Sequence, residues 1–272
     1  MAFGLLSRLA RVRVTMVYAI VLVVVTTTLL KLGPGVQGRV FQHASTNLHN
    51  LSHGHVGTLL GSAFVVDAGS MYVWLPGLVC LLGVGELIWR SGRLLVAFAV
   101  GHVGATLLVA SGLTAAVRFG WLPLSVSRAI DVGTSYGATS VLGALTPAVP
   151  TRWRSTWIGW WLAVAAVVIA GGTDFTGVGH VVALILGMVV ATRFGRPRRW
   201  TPARVALLAV GGSFGYSILV GSGGAMVLAT AAGLAGGALG TVVALLHSLL
   251  HPRSPIHPPE VDLTASPVSL RE

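Results

Sequence analysis

From Val14 to Leu30 the chain runs seventeen residues without a charged side chain, and comparable apolar runs return along its length. A helix needs about 20 such residues to cross a hydrocarbon layer about 30 Å thick. Runs bounded by charges or turn residues predict spans at about Val14–Leu30, Met71–Trp89, Leu94–Val117, Gly133–Val149, Trp157–Ala170 and Gly177–Phe194. The stretch Val205–Leu250 is too long for one helix. Gly221-Ser222-Gly223-Gly224 at its centre is a turn signal, so it reads as two further spans. Charged residues make up only 9% of the 272, against about 25% in soluble domains. A solvated globular surface cannot be built from that inventory. The expected fold is an all-α polytopic membrane bundle. It has a short N-terminal segment (1–13), six core spans (14–204), an additional C-terminal hairpin (205–250) and a disordered, proline-bearing tail (251–272).

The net charge of +11 invites a nucleic-acid reading, but topology accounts for it. With the N-terminus inside, Arg8, Arg11, Arg13, Arg90, Arg93, Arg152, Arg154, Arg193, Arg196, Arg198, Arg199, Arg204, Arg253 and Arg271 all fall on the cytoplasmic side. Only Lys31, Arg39, Arg118 and Arg128 fall outside. The positive-inside rule then puts both termini in the cytoplasm. No aromatic-interleaved basic patch accompanies the charge, so nucleic acid is not an expected partner. After the first run, no small-residue cleavage site follows, and Lys31-Leu32-Gly33-Pro34 reads as an interfacial stop, so that run is expected to stay as a span.

Residues Gly33–Ser70 form a long outer segment holding His43, Asn47, His49, Asn50, His53 and His55. Its apolar part, Val56–Val66, is too short to cross and is expected to be interfacial or re-entrant. His53 and His55 form an H-x-H without a fixed third ligand, and Cys80 is the only cysteine, so no metal site or disulfide is expected. The tripeptide Gly-His-Val at Gly54, Gly101 and Gly179 has divergent flanks and reads as coincidence in a glycine-rich chain.

Polar residues inside spans are functional candidates because lipid penalises them. They are Glu86, His102, Ser135, Thr139 and His180. Glu86 and Arg90 stand at i,i+4 and are expected to form a structural ion pair; His102 is expected to be a hydrogen-bonded packing residue. Ser135 and His180 are different. Both lie in the first turns of spans that start from the outer side, so both side chains occupy the same shallow depth. A serine beside a histidine that can take its proton is the minimal activated nucleophile.

These residues carry a resemblance to the rhomboid family of intramembrane serine proteases, over about Leu60–Thr192. Gly133-Thr134-Ser135 matches the first three positions of the family's G-x-S-G nucleophile motif. His180 through Gly187 looks like the histidine of its last core span with the small residues that follow. Gly85-Glu86 through Gly92-Arg93 has the form of the glutamate and glycine-basic turn ending its second span. The resemblance implies a Ser135–His180 dyad supported by Gly133, with Gly137 and Gly187 allowing close packing, and no cofactor. Two departures stand out. Tyr136 occupies the position after the nucleophile, with Gly137 next. The family's H-x-x-x-N oxyanion pair falls at about Ser70 and Trp74, whose hydroxyl and indole are the remaining donors there. Three functions stay open at this level. The first is cleavage of transmembrane segments, the second non-catalytic binding of membrane-protein helices. The third, transport, expects paired polar sites in broken mid-membrane helices, where only His102 lies.

Overall fold

The computed structural model describes residues 10–66, 71–128, 132–172, 175–221 and 225–250. The proposed disordered tail, Ser70 and the turn residues 222–224 lie outside them. Regular structure among the described residues is all helical: α1 (Arg13–Leu32), α2 (Pro34–Ala44), α3 (Leu48–Ser52), α4 (Thr58–Gly61), α5 (Met71–Ala99), α6 (Ala105–Arg118), α7 (Ser135–Ala144), α8 (Thr151–Ala170), α9 (Phe175–Ala191), α10 (Pro202–Val220) and α11 (Ala225–Leu250). The apolar segments at 10–32, 73–118, 151–170, 202–220 and 225–250 are long enough to cross a membrane, and α9 is a shorter apolar helix. This is a multi-pass membrane bundle.

The 46-residue segment 73–118 makes two crossings. Gly85 faces Val141 and Gly101 faces Ser140 on the same short helix, although sixteen residues of straight helix would separate them by about 24 Å. The chain doubles back at Arg90, the one described non-glycine residue with positive φ (68°, with ψ 163°). That break corrects the expected Glu86–Arg90 pair, because the i,i+4 geometry requires an unbroken helix. Glu86 is fully buried and turns instead to the start of α1. Its carboxylate accepts from the Val14 amide (3.1 Å), the Thr15 amide (2.9 Å), the Thr15 hydroxyl (2.8 Å) and the Ser91 hydroxyl (2.6 Å). It therefore caps α1 from another helix, with a negative charge where the helix dipole favours one. Glu86→Ala should cost about 3 kcal/mol, since it strands amides that a charged acceptor had satisfied. Arg90→Ala should cost under about 1 kcal/mol. Unfolding of the detergent-solubilised protein checks both, and equal losses would restore the ion pair.

The central helix is α7. Every residue from Tyr136 to Ala144 is buried, so it touches no lipid and need not match the bilayer thickness. The expected span Gly133–Val149 is in fact this ten-residue helix, continued by a 3-10 turn at Thr146–Ala148. α8 starts at Thr151, six residues before the predicted Trp157. Its Arg154 guanidinium donates to the Pro147 carbonyl at 2.8 Å. A charge thus sits inside a helix end without ending the helix. The segment between α2 and α5 re-enters the bundle: Ser62 and Ala63 are buried, and the Tyr18 hydroxyl of α1 donates to the Ala63 carbonyl at 2.6 Å. Irregular backbone is tolerated in a membrane bundle where protein surrounds it.

The two C-terminal helices pack by close backbone approach, as their glycines suggest, but on different partners. Phe214 of α10 lies against Gly77 of α5, while Gly236 of α11 meets Gly159 of α8 backbone to backbone. They touch each other where the Tyr216 hydroxyl donates to the Met226 carbonyl (3.0 Å).

Candidate functional site

Gly133 leads the chain into α7 at φ +128°, a backbone conformation that side chains disfavour. Its N–H donates to the Ser62 carbonyl at 2.9 Å, so the re-entrant segment fixes the turn. Thr134 is buried, and Ser135 is the first residue of α7, half-buried. The first bond of the helix runs from the Ala138 amide to the Thr134 carbonyl (2.9 Å). The Ser135 amide precedes it in the first turn, where helical amides have no intrahelical acceptor. Thr139 lies one turn on and donates to the Ser135 carbonyl (2.8 Å); it is a packing residue.

His180 lies in the second turn of α9 and is 7% exposed. α7 and α9 run parallel and approach backbone to backbone. A methyl group at Gly187 would overlap the Ser140 carbonyl, and one at Gly143 would overlap the Leu184 carbonyl. Parallel packing puts the beginnings of both helices at one end of the bundle, so Ser135 and His180 share that end. The Tyr136 ring meets the His180 imidazole edge to face with centroids 5.2 Å apart. Ser135 precedes Tyr136 at the start of α7 and is half-buried. Among the described residues no hydrogen bond joins the Ser135 hydroxyl to His180.

The remaining candidates are distributed as follows. Trp74 stacks on Phe214 of α10 (centroids 6.1 Å apart, 14° between planes), so its indole ring is a packing surface; Ser70 lies outside the described residues. Gly137 faces the Phe98 ring of α5 and leaves room for it. Near the bundle centre, the His102 Nε2 and the Ser62 hydroxyl are 3.1 Å apart and both residues are buried. This second serine–histidine pair ties the re-entrant segment to the π turn Val100–Gly104. Only a polar histidine in mid-span hinted that such a partner exists, and nothing in the sequence identified Ser62. Among the described residues, no three His, Cys, Asp or Glu side chains gather as a metal site would require.

A family model described as rhomboid-like protein matches residues 8–197. No curated protein and no solved structure matches the chain.

Proposed function

The chain belongs to the rhomboid-like protein family, and from that premise we propose that it is an intramembrane serine protease acting through Ser135 and His180. One observation carries the reading: the parallel, glycine-mediated contact of α7 and α9 brings these two residues to the same end of the bundle. Ser135 attacks the scissile carbonyl of a substrate transmembrane segment. His180 takes the hydroxyl proton and returns it to the leaving amine. The Ser135 amide, in the first turn of α7, supplies a donor for the oxyanion, in place of the histidine and asparagine absent at Ser70 and Trp74. The reaction draws on no metal or nucleotide, and the partners are membrane-protein segments reached from the bilayer. A fluorophosphonate added to the protein in liposomes tests this: it should modify Ser135, identified by peptide mass.

The second reading is non-catalytic binding of membrane-protein helices. The Tyr136–His180 contact favours it, because it engages the imidazole in side-chain packing. Failure of Ser135 to react would select it.

The same proposal divides the chain into a six-span core within residues 14–204 and a two-helix addition at 205–250. The family match ending at residue 197 supports that division. By the positive-inside rule, the proposed orientation has the arginine-rich end and both termini in the cytoplasm, with the Ser135 end outside. A reporter fused after Ser222 should be external and one fused after Pro252 cytoplasmic. Both on one side would overturn the arrangement.

A further inference from the structure

Arginines from three separate stretches of chain converge at one end of the bundle. Arg11 and Arg13 come from the start of α1, Arg90 and Arg93 from the reversal in α5, and Arg196 and Arg198 from the segment after α9. The Arg198 amide donates to the Ile88 carbonyl at 3.2 Å, which holds the last stretch across a cleft of two adjoining cavities. One, of about 610 Å³, is bordered by Arg90, Arg93, Arg196 and Arg198; the other, of about 210 Å³, is bordered by Arg11, Arg13, Arg90 and Arg198. Positive-inside bias asks only that such residues lie on one side; it does not ask them to converge. The carboxylate lining this region is Glu86, whose two oxygens are taken up by α1 and Ser91. Among the described residues, none of these guanidiniums is paired with a carboxylate.

Arg90 adds a second observation. Its φ of 68° with ψ of 163° falls in a region that is essentially glycine-only, and such strain collects where a side chain has a task. A glycine there would relieve the strain but remove a guanidinium from the cleft.

The third observation is apolar. Arg13 also borders a cavity of about 700 Å³ between α1 and α5, lined by Val17, Val21, Val25, Leu82, Leu94 and Phe98 among others. It follows α1 from Arg13 to Val25, about 18 Å of helix, which is close to the depth of one leaflet of a hydrocarbon core about 30 Å thick. A basic cleft continuous with an apolar groove one leaflet deep has the form of a phospholipid.

We propose that this end of the bundle binds an anionic phospholipid, with its phosphate on the arginine cleft and an acyl chain in the groove between α1 and α5. Guanidinium forks match phosphate oxygens, and basic pockets between membrane helices hold anionic headgroups. A zwitterionic headgroup fits less well, because Glu86 is buried against α1 and offers its ammonium no exposed negative charge. The proposal stands independently of the protease reading.

The test uses the full chain in detergent with added phosphatidylglycerol or phosphatidylcholine, and counts retained lipid by native mass spectrometry. Phosphatidylglycerol should be retained at least about tenfold more strongly, with the preference shrinking as salt rises. Arg90→Gly with Arg198→Ala should remove the preference while the protein remains folded by circular dichroism, and Arg90→Gly alone should raise thermal stability. Val21→Trp, filling the groove, should weaken phosphatidylglycerol retention and leave pyrophosphate binding unchanged. Equal retention of the two lipids, or a preference that survives the arginine double variant, would overturn the proposal. So would pyrophosphate binding as tightly as the lipid with no effect of Val21→Trp, which would assign the cleft to a soluble phosphate.

Discussion

Gly187→Ala should cost about 3 kcal/mol of stability and eliminate reactivity at Ser135, although it adds one methyl group. The added carbon would overlap the Ser140 carbonyl oxygen and crowd the Ser140 Cα at 2.9 Å. Both belong to backbone in a helix buried along its length, so no rotamer change relieves the overlap. The helices must separate, and overpacking of this kind costs typically 1–3 kcal/mol, here at about the upper end because the obstacle is rigid. Separation also moves the start of α9 away from Ser135, so stability and reactivity fall together. Gly112 provides the control. It lies in α6 with nothing within 4 Å of an added Cβ, and Gly112→Ala should be neutral or stabilise by up to about 1 kcal/mol. Unfolding in detergent, followed by helicity and by size exclusion, separates the two variants. Wild-type stability in Gly187→Ala would mean that α7 and α9 do not pack as described.

The sequence makes some of this architecture legible and hides the rest for identifiable reasons. Apolar runs of span length mark the crossings because lipid demands them, and counting crossings puts Ser135 and His180 at the same end. Rotation about the helix axis is not accessible to that count. It depends on which face of α7 lies against α9, so the contact of Tyr136 with His180 emerges only from the packed helices. Glu86 and Arg90 satisfy a helical spacing rule, yet Arg90 leaves the helix, and the true partners of Glu86 lie about seventy residues earlier in α1. Ser62 and His102 are separated by 40 residues and meet because the segment before α5 turns into the bundle. No local pattern encodes that meeting. The arginines at positions 152 and 154 look like a boundary, but α8 includes them, since Arg154 satisfies carbonyls left free by the preceding turn. In the C-terminal pair, glycines advertise close packing without naming the partner, and two different core helices are chosen.

The largest expected effect on chemistry is the dependence of Ser135 on His180. Serine is a weak nucleophile until a base accepts its proton, and a positioned base contributes typically 10²–10⁴-fold. His180→Ala should therefore slow phosphonylation of Ser135 by about 10³-fold, equivalent to about 4 kcal/mol in the barrier, while the protein remains folded. Loss of an oxyanion donor costs about 10²–10³-fold, so Ser70→His with Trp74→Asn should accelerate a slow wild-type reaction. Failure of that gain would show that the Ser135 amide is not helped by donors at those positions. Ser62 sets an internal standard. It also has a histidine partner, His102, but the pair is buried and should not be modified on the same timescale.

The direct measurement is the rate of fluorophosphonate incorporation in liposomes, with the modified serine located by peptide mass, for wild type, Ser135→Ala and His180→Ala. The catalytic account predicts that label appears on Ser135, is absent from Ser135→Ala and falls about 10³-fold in His180→Ala. Label that does not depend on His180, or that resides on another serine, would contradict it and leave the non-catalytic helix-binding role.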